Sequence, residues 1–183
     1  MPREMSSPEV ASFLTHGTRT AKVATTMSSG QPHVMPVWFV LDGEAIDLPD
    51  SLAGHFAVIL FNRGSWCPYC NAQLRAFQRH AEKLDGLDVK VVSLSVDDQD
   101  TARELIAKHG LTFPVGHTAD APAIHEATGA FVNADPVHLQ STGFVLDPDG
   151  NVIVSVYSSG AIGRLVPDDV AGLVNYVKSK QPA

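Results

Sequence analysis

Cys67 and Cys70 are the only two cysteines in the 183-residue chain, and they stand three positions apart in Arg63-Gly64-Ser65-Trp66-Cys67-Pro68-Tyr69-Cys70. A thiol reacts as its thiolate. A cysteine at the first turn of a helix faces unpaired backbone N–H groups and the positive end of the dipole, which lower its pKa below about 8.5. Pro68 suits that first turn, where its missing N–H is no loss. Cys67 is therefore the candidate nucleophile. Cys70 comes round to the same side of the turn, within reach of a mixed disulfide or a sulfenic acid formed on Cys67. Trp66 and Tyr69 flank the pair with rings that limit solvent access.

Two plainer readings compete. A CxxC can be half of a zinc site, but there is no second CxxC and the eight histidines are scattered without paired spacing, so no metal is expected. Free cysteines are also often simply buried. Against that, a short apolar strand, a CxxC with Pro inside it and an amphipathic helix coincide here, as a redox motif requires. Arg63 offers a fork of donors that holds an anion or stabilises the thiolate, and a solvated surface arginine is the equal alternative. Arg164 lies in the Gly-rich loop Ser158–Leu165. Such a loop can approach the site, but a tight connection is the favoured reading, because glycines serve turns more often than ligands.

The elements that must position these residues follow from hydrophobic period. Phe56-Ala57-Val58-Ile59-Leu60-Phe61 is a continuous apolar run, as expected of a strand covered on both faces. Leu74, Phe77, Ala81 and Leu84 recur at helical steps after Pro68. Val89 to Val96 is a second β-rich run, and Asp100 or Thr101 caps the next helix, which stops at Gly110. Leu111 to Gln140 reads as irregular, with one short helix around Pro122 to Thr128. Gly143–Leu146 and Asn151–Tyr157 form a hairpin across the turn Asp147-Pro148-Asp149-Gly150. Pro167 opens a last helix. The order predicts an α/β fold with a mixed central sheet flanked by helices, and cysteines at the exit of the first core strand single out the thioredoxin-like arrangement. In such a sheet Thr142 sits opposite the cysteines.

From about Leu48 to Lys180 the chain resembles the peroxiredoxin-like redoxins, the alkyl hydroperoxide reductase and thiol-specific antioxidant group. The likeness rests on Arg63 to Leu74, on Phe144-Val145-Leu146-Asp147-Pro148-Asp149-Gly150 and on Tyr157 to Leu165. It implies thiol-dependent reduction of small hydroperoxides, with Cys67 peroxidatic, Cys70 resolving, and Arg63, Trp66, Pro68, Tyr69, Thr142 and Arg164 in support. An external dithiol, thioredoxin-like or of low molecular weight, is the implied reductant, and no cofactor is needed. Typical members carry Thr or Ser three residues before the peroxidatic cysteine and Pro four before that; here Gly64 and Leu60 stand instead. Thioredoxins also place a cis-proline before the strand facing CxxC, and Gln140-Ser141-Thr142-Gly143 contains none.

Residues 1–44 read as an N-terminal β extension ahead of a thioredoxin-like domain over 45–183. Phe13 to Thr26 and Gly30 to Gly43 are similar to the opening of the pyridoxamine 5'-phosphate oxidase-like split barrels, which implies, as an alternative function, binding of flavin or deazaflavin. A fragment of two or three strands is too small to hold a core alone, so it packs on the main domain or on another copy. Val37–Leu41 and Ala45–Leu48 flank a hairpin signal at Asp42-Gly43-Glu44, and a swapped strand Lys22–Thr26 would make a homodimer. A redox-sensing or disulfide-exchange module without peroxidase turnover is a further alternative.

Composition narrows the partners. A net charge of −7 with scattered Lys and Arg opposes nucleic-acid binding, and no apolar run approaches the roughly 20 residues of a membrane helix. The opening Met1 to Pro8 has no apolar segment behind it, so the expected location is cytoplasmic.

Overall fold

The apolar run after Gly54 forms β3 (Phe56–Phe61), the central strand of the main sheet. This is a computed structural model; it describes residues 52–180 in full, the backbone of 21–26 and 32–37, and Ser6. The main sheet is five-stranded. Its order is β5 (Val115–Gly116), β4 (Val89–Leu94), β3, β8 (Thr142–Leu146), β9 (Val152–Tyr157). β3 runs parallel to β4, with Phe56 opposite Val89, and antiparallel to β8, with Phe61 opposite Thr142.

Both faces of β3 are covered, which explains why its sequence is apolar without alternation. Phe56, Val58 and Leu60 point to one face, against Leu74 and Phe77 of α1 (Pro68–Arg79) and Val174 of α5 (Pro167–Lys180). Ala57 and Phe61 point to the other, against Ile124 of α4 (Ala121–Thr128), Leu139 and Phe144. Each fully buried Leu or Phe here contributes about 1.5–3 kcal/mol.

Three details differ from the sequence expectations. The helix through Leu84 is broken at His80 into α1 and α2 (Ala81–Asp85), and the His80 ring donates to the Ala76 carbonyl at 2.8 Å. α3 (Gln99–His109) is capped by Asp98 rather than by Asp100 or Thr101. The Asp98 carboxylate accepts the Thr101 N–H at 2.8 Å; a run of Asp and Thr offers several suitable caps, and only the extended backbone at Asp98 selects one. The stretch Leu111–Gln140 holds, besides α4, strand β5 and a small hairpin of β6 (Val132–Ala134) and β7 (Val137–Leu139). Strands of two and three residues are too short to show a period.

The turn between β8 and β9 follows its chemistry: the Asp147 carboxylate accepts the N–H groups of Asp149 and Asn151 at 3.0 and 2.8 Å, and Gly150 takes a positive φ of 83°. β1 (Ala21–Thr26) and β2 (Pro32–Val37) pair antiparallel as a separate two-stranded sheet. The hairpin at Val37–Leu48, the boundary at 44/45 and the remainder of the split-barrel likeness lie outside the described residues. No helix among the described residues is long and apolar enough to cross a membrane.

Gly143 in β8 is the place where the sheet admits the C-terminal loop: a Cβ there would stand 2.7 Å from Cδ1 and 3.0 Å from Cγ of buried Leu165. Gly143→Ala is therefore expected to cost about 1–3 kcal/mol by overpacking, read as a lower midpoint in urea unfolding. An unchanged midpoint would mean that Leu165 is not seated as described.

Candidate active site

β3 delivers the chain to Asn62, whose backbone N–H bonds the Leu94 carbonyl at 2.8 Å, and the next turn closes from Cys67 N–H to the Gly64 carbonyl at 3.0 Å. Cys67 is then the N-cap of α1, with Pro68 following, and its Sγ accepts the Cys70 N–H at 3.3 Å. A cap position one step before the first turn gives the sulfur a direct bond to a helix N–H as well as the dipole. Cys70 Sγ in turn accepts the Arg63 N–H at 3.4 Å. Both thiols are free, and they are 0% and 1% exposed.

Arg164 reaches this pair. Its Nη2 lies 3.1 Å from Cys70 Sγ and 3.7 Å from Cys67 Sγ, Nη1 donates to Gln73 Oε1 at 2.7 Å, and Nε donates to the Ala161 carbonyl at 2.8 Å. The tight connection favoured from sequence is present, since the Ser158 hydroxyl binds the Ile162 carbonyl and Gly163 has φ 87°. That tightness is what aims the arginine, so the two readings are one.

The other candidates divide. Arg63 places its guanidinium 4.9 Å from the Trp66 ring centroid, and Trp66 meets the His138 ring edge-on at 5.2 Å. Trp66 and Tyr69 are 56% and 52% exposed, so they form a rim beside the buried sulfurs rather than a lid over them. Pro68 is the first residue of α1. Thr142, paired with Phe61, is buried at the same end of the sheet, and its Oγ1 has no hydrogen-bond partner among the described residues.

Electrostatics separate the two thiols. Burial would raise the Cys67 pKa, but hydrogen bonds from the Cys70 side chain and backbone, with the charges of Arg164 and Arg63, outweigh it and hold the thiol below its ordinary 9.0. Burial and the bond it gives to Cys67 push Cys70 up to about 11, against the pull of Arg164.

Two residues escaped sequence reasoning. Gln73 is buried in α1 and spans the gap to the C-terminal loop, accepting from Arg164 and donating to the Leu165 carbonyl at 2.9 Å; its place one turn after Cys70 was the available signal. Asp97, just past β4 at the motif's end of the sheet, accepts the Ser65 N–H at 2.7 Å and the Ser95 hydroxyl at 3.1 Å. It also explains Gly64. With φ 138°, Gly64 packs so closely that a Cβ would stand 2.5 Å from Trp66 Nε1 and 3.0 Å from Asp97 Oδ1. Among the described residues no group of three or more His, Cys, Asp or Glu is arranged to hold a metal.

A mixed sheet with a cysteine pair where its central strand enters a helix defines the thioredoxin-like class of folds. Residues 34–155 match the model of the AhpC/TSA family, and the chain belongs to that family. It is similar to a peroxiredoxin of Methanothermobacter thermautotrophicus, 29% identical over 68% of this chain and 62% of that protein. It is also similar to the thiol-disulfide oxidoreductase ResA of Bacillus thuringiensis, 27% identical over 78% of this chain and 72% of that protein. The crystal structure of Enterococcus faecalis AhpC superposes with a TM-score of 0.62 at 15% identity, covering 91% of this chain and 95% of that one. The chain spans little more than six tenths of the length of the peroxiredoxin relatives it matches.

Two outcomes follow for the motif. With a limiting alkylating agent near neutral pH, Cys67 is expected to be labelled ahead of Cys70, as peptide mass spectrometry would show; equal labelling would contradict the separation of the two thiols. Gly64→Thr is expected to destabilise the fold rather than add a working hydroxyl, because a side chain at φ 138° is strained and collides with Trp66 and Asp97. A Gly64→Thr protein as stable as the wild type would refute that packing.

Proposed function

We propose that the chain is a cytoplasmic thiol peroxidase of the peroxiredoxin type, working through Cys67 and Cys70 on small hydroperoxides. The observation that carries this reading is the guanidinium of Arg164 at 3.7 Å from the sulfur of Cys67, which caps α1, and 3.1 Å from that of Cys70 in its first turn. Positive charge and helix N–H groups favour the thiolate on Cys67, the species that attacks peroxide.

In the first step the Cys67 thiolate attacks one oxygen of ROOH, the O–O bond breaks, and the leaving alkoxide takes a proton to become ROH. Cys67 is left as sulfenic acid. Cys70, a thiol until this point, attacks the sulfenic sulfur as it loses its proton; hydroxide leaves with that proton as water, and the Cys67–Cys70 disulfide forms. The chain has no third cysteine, so an external dithiol restores both thiols by exchange and leaves as its own disulfide. Before the attack, Arg164 faces both sulfurs, 3.7 Å from the one that carries charge, and the neutral, high-pKa Cys70 is kept from competing for the oxidant.

Gly64 supports a second reading. Its position holds no hydroxyl to bind peroxide, and the ResA likeness covers more of the chain than the peroxiredoxin likeness does. In that reading the same thiolate attacks a disulfide instead, and Cys70 releases the mixed disulfide.

Loss of hydrogen peroxide and of an organic hydroperoxide, measured with excess dithiol, separates the two. The wild type is expected to turn over, Cys67→Ser to fall to the blank, and Cys70→Ser to fall well below the wild type. If the wild type also matches the blank, the peroxidase reading fails, and turnover of a model disulfide becomes the activity to measure.

A further inference from the structure

The contact between Arg164 and the sulfurs depends on a third side chain, Gln73, which holds the arginine. Gln73 is buried on α1, and its amide is used at both ends. Oε1 accepts Arg164 Nη1 at 2.7 Å, while Nε2 donates to the Leu165 carbonyl at 2.9 Å, so one residue holds two neighbours in the C-terminal loop. The amide orientation is fixed by its partners: a guanidinium demands the oxygen and a carbonyl demands the N–H. The loop's own bond, Arg164 Nε to the Ala161 carbonyl at 2.8 Å, fixes the other end of the guanidinium.

The choice of a neutral amide matters as much as its geometry. Among the described residues the hydrogen-bond partners of the guanidinium are the Ala161 carbonyl, the Gln73 oxygen and the two sulfurs, and none of these is a carboxylate. Arg164 is half-buried, and a carboxylate within its reach would pair with it bidentately. That pairing would satisfy the arginine but would cancel the field it exerts on a neighbouring thiol. Gln and Glu have the same shape, so position 73 is where one atom decides between the two.

We propose that Gln73 is the positioning residue of this site: its amide locks Arg164 against Cys67 and Cys70 while leaving the guanidinium charge free to act on the sulfurs. The proposal rests on Cys67 being the nucleophile proposed above. Three groups act on Cys67 from the elements around it: Arg164 from the loop after β9, Arg63 from the loop before α1 and Cys70 within α1; the Asp97 carboxylate after β4 is engaged by the Ser65 N–H. Of these, Arg164 alone is placed by Gln73.

The test is the alkylation rate of Cys67 against pH in the reduced, full-length protein, resolved from Cys70 by peptide mass spectrometry. Gln73→Met removes both hydrogen bonds at similar volume; Gln73→Glu keeps the reach and adds a charge. Both are expected to move the Cys67 midpoint upward, by about one pH unit for Gln73→Glu, the size expected when a neighbouring charge is neutralised. At pH well below both midpoints that is about a tenfold loss of thiolate. Adding Gln73→Met to Arg164→Met is expected to shift the midpoint no further, which a merely structural role for Gln73 would not predict. If Gln73→Met loses cooperative unfolding, Gln73→Glu carries the comparison. Wild-type midpoints in the variants, or a full Gln73→Met shift persisting without Arg164, would overturn the proposal. The profile is read without peroxide. A wild type inactive on hydroperoxide and disulfide alike would remove the proposed function and leave this result standing.

Discussion

The guanidinium of Arg164 meets two sulfurs that lie 97 and 94 residues earlier in the chain. Most of the architecture can be understood as the means of closing that distance. Two thiols buried side by side would otherwise both rise in pKa, because burial penalises the charged form; Cys70 is pushed up to about 11 by burial and by its bond to Cys67, despite the pull of Arg164. Cys67 escapes it because a cap position, a thiol donor and two arginines converge on one atom. The asymmetry between chemically identical side chains is thus a product of placement.

The sheet performs that placement. β3 carries the motif to its exit, and β8, paired beside it, turns through Asp147–Gly150 into β9, which returns the chain to the same end. The loop after β9 is then braced at three points: the Ser158 hydroxyl on the Ile162 carbonyl, Leu165 over Gly143, and Gln73 on both Arg164 and Leu165. Absence of a side chain at Gly143 is as necessary as the presence of one at Gln73. Stability and chemistry share these contacts, so damage to the packing of Leu165 also displaces the charge beside it.

Much of this was legible in the sequence. The continuous apolar run of β3, the Pro after Cys67 and the Asp-Pro-Asp-Gly turn each have a local physical cause, and each appears where its cause demands. The likeness to the redoxins likewise rested on contiguous residues. What could not be read was set by long-range geometry. Arg164 sits in a loop whose glycines suit an ordinary turn, and only the pairing of β3 with β8 shows that the turn ends at the cysteines. Gln73 precedes Leu74 on an amphipathic helix and carries no local sign of burial, yet it is buried because the C-terminal loop covers it. The strands at Val115–Gly116 and Val132–Leu139 are too short for a period to register.

Gly64 gives the departure from the usual family motif a physical reason: the loop takes a backbone conformation that excludes a side chain, and Trp66 and Asp97 occupy its space. The proposed chemistry therefore relies on charge and backbone donors rather than on a hydroxyl. That reliance is tested most directly by following thiolate absorbance in the ultraviolet as the reduced protein is titrated, with the wild type set against Arg164→Met. A first transition below the ordinary 9.0 in the wild type, moved up by about one pH unit in the variant, is the predicted result; superimposable curves would show that Arg164 does not set the charge state of Cys67.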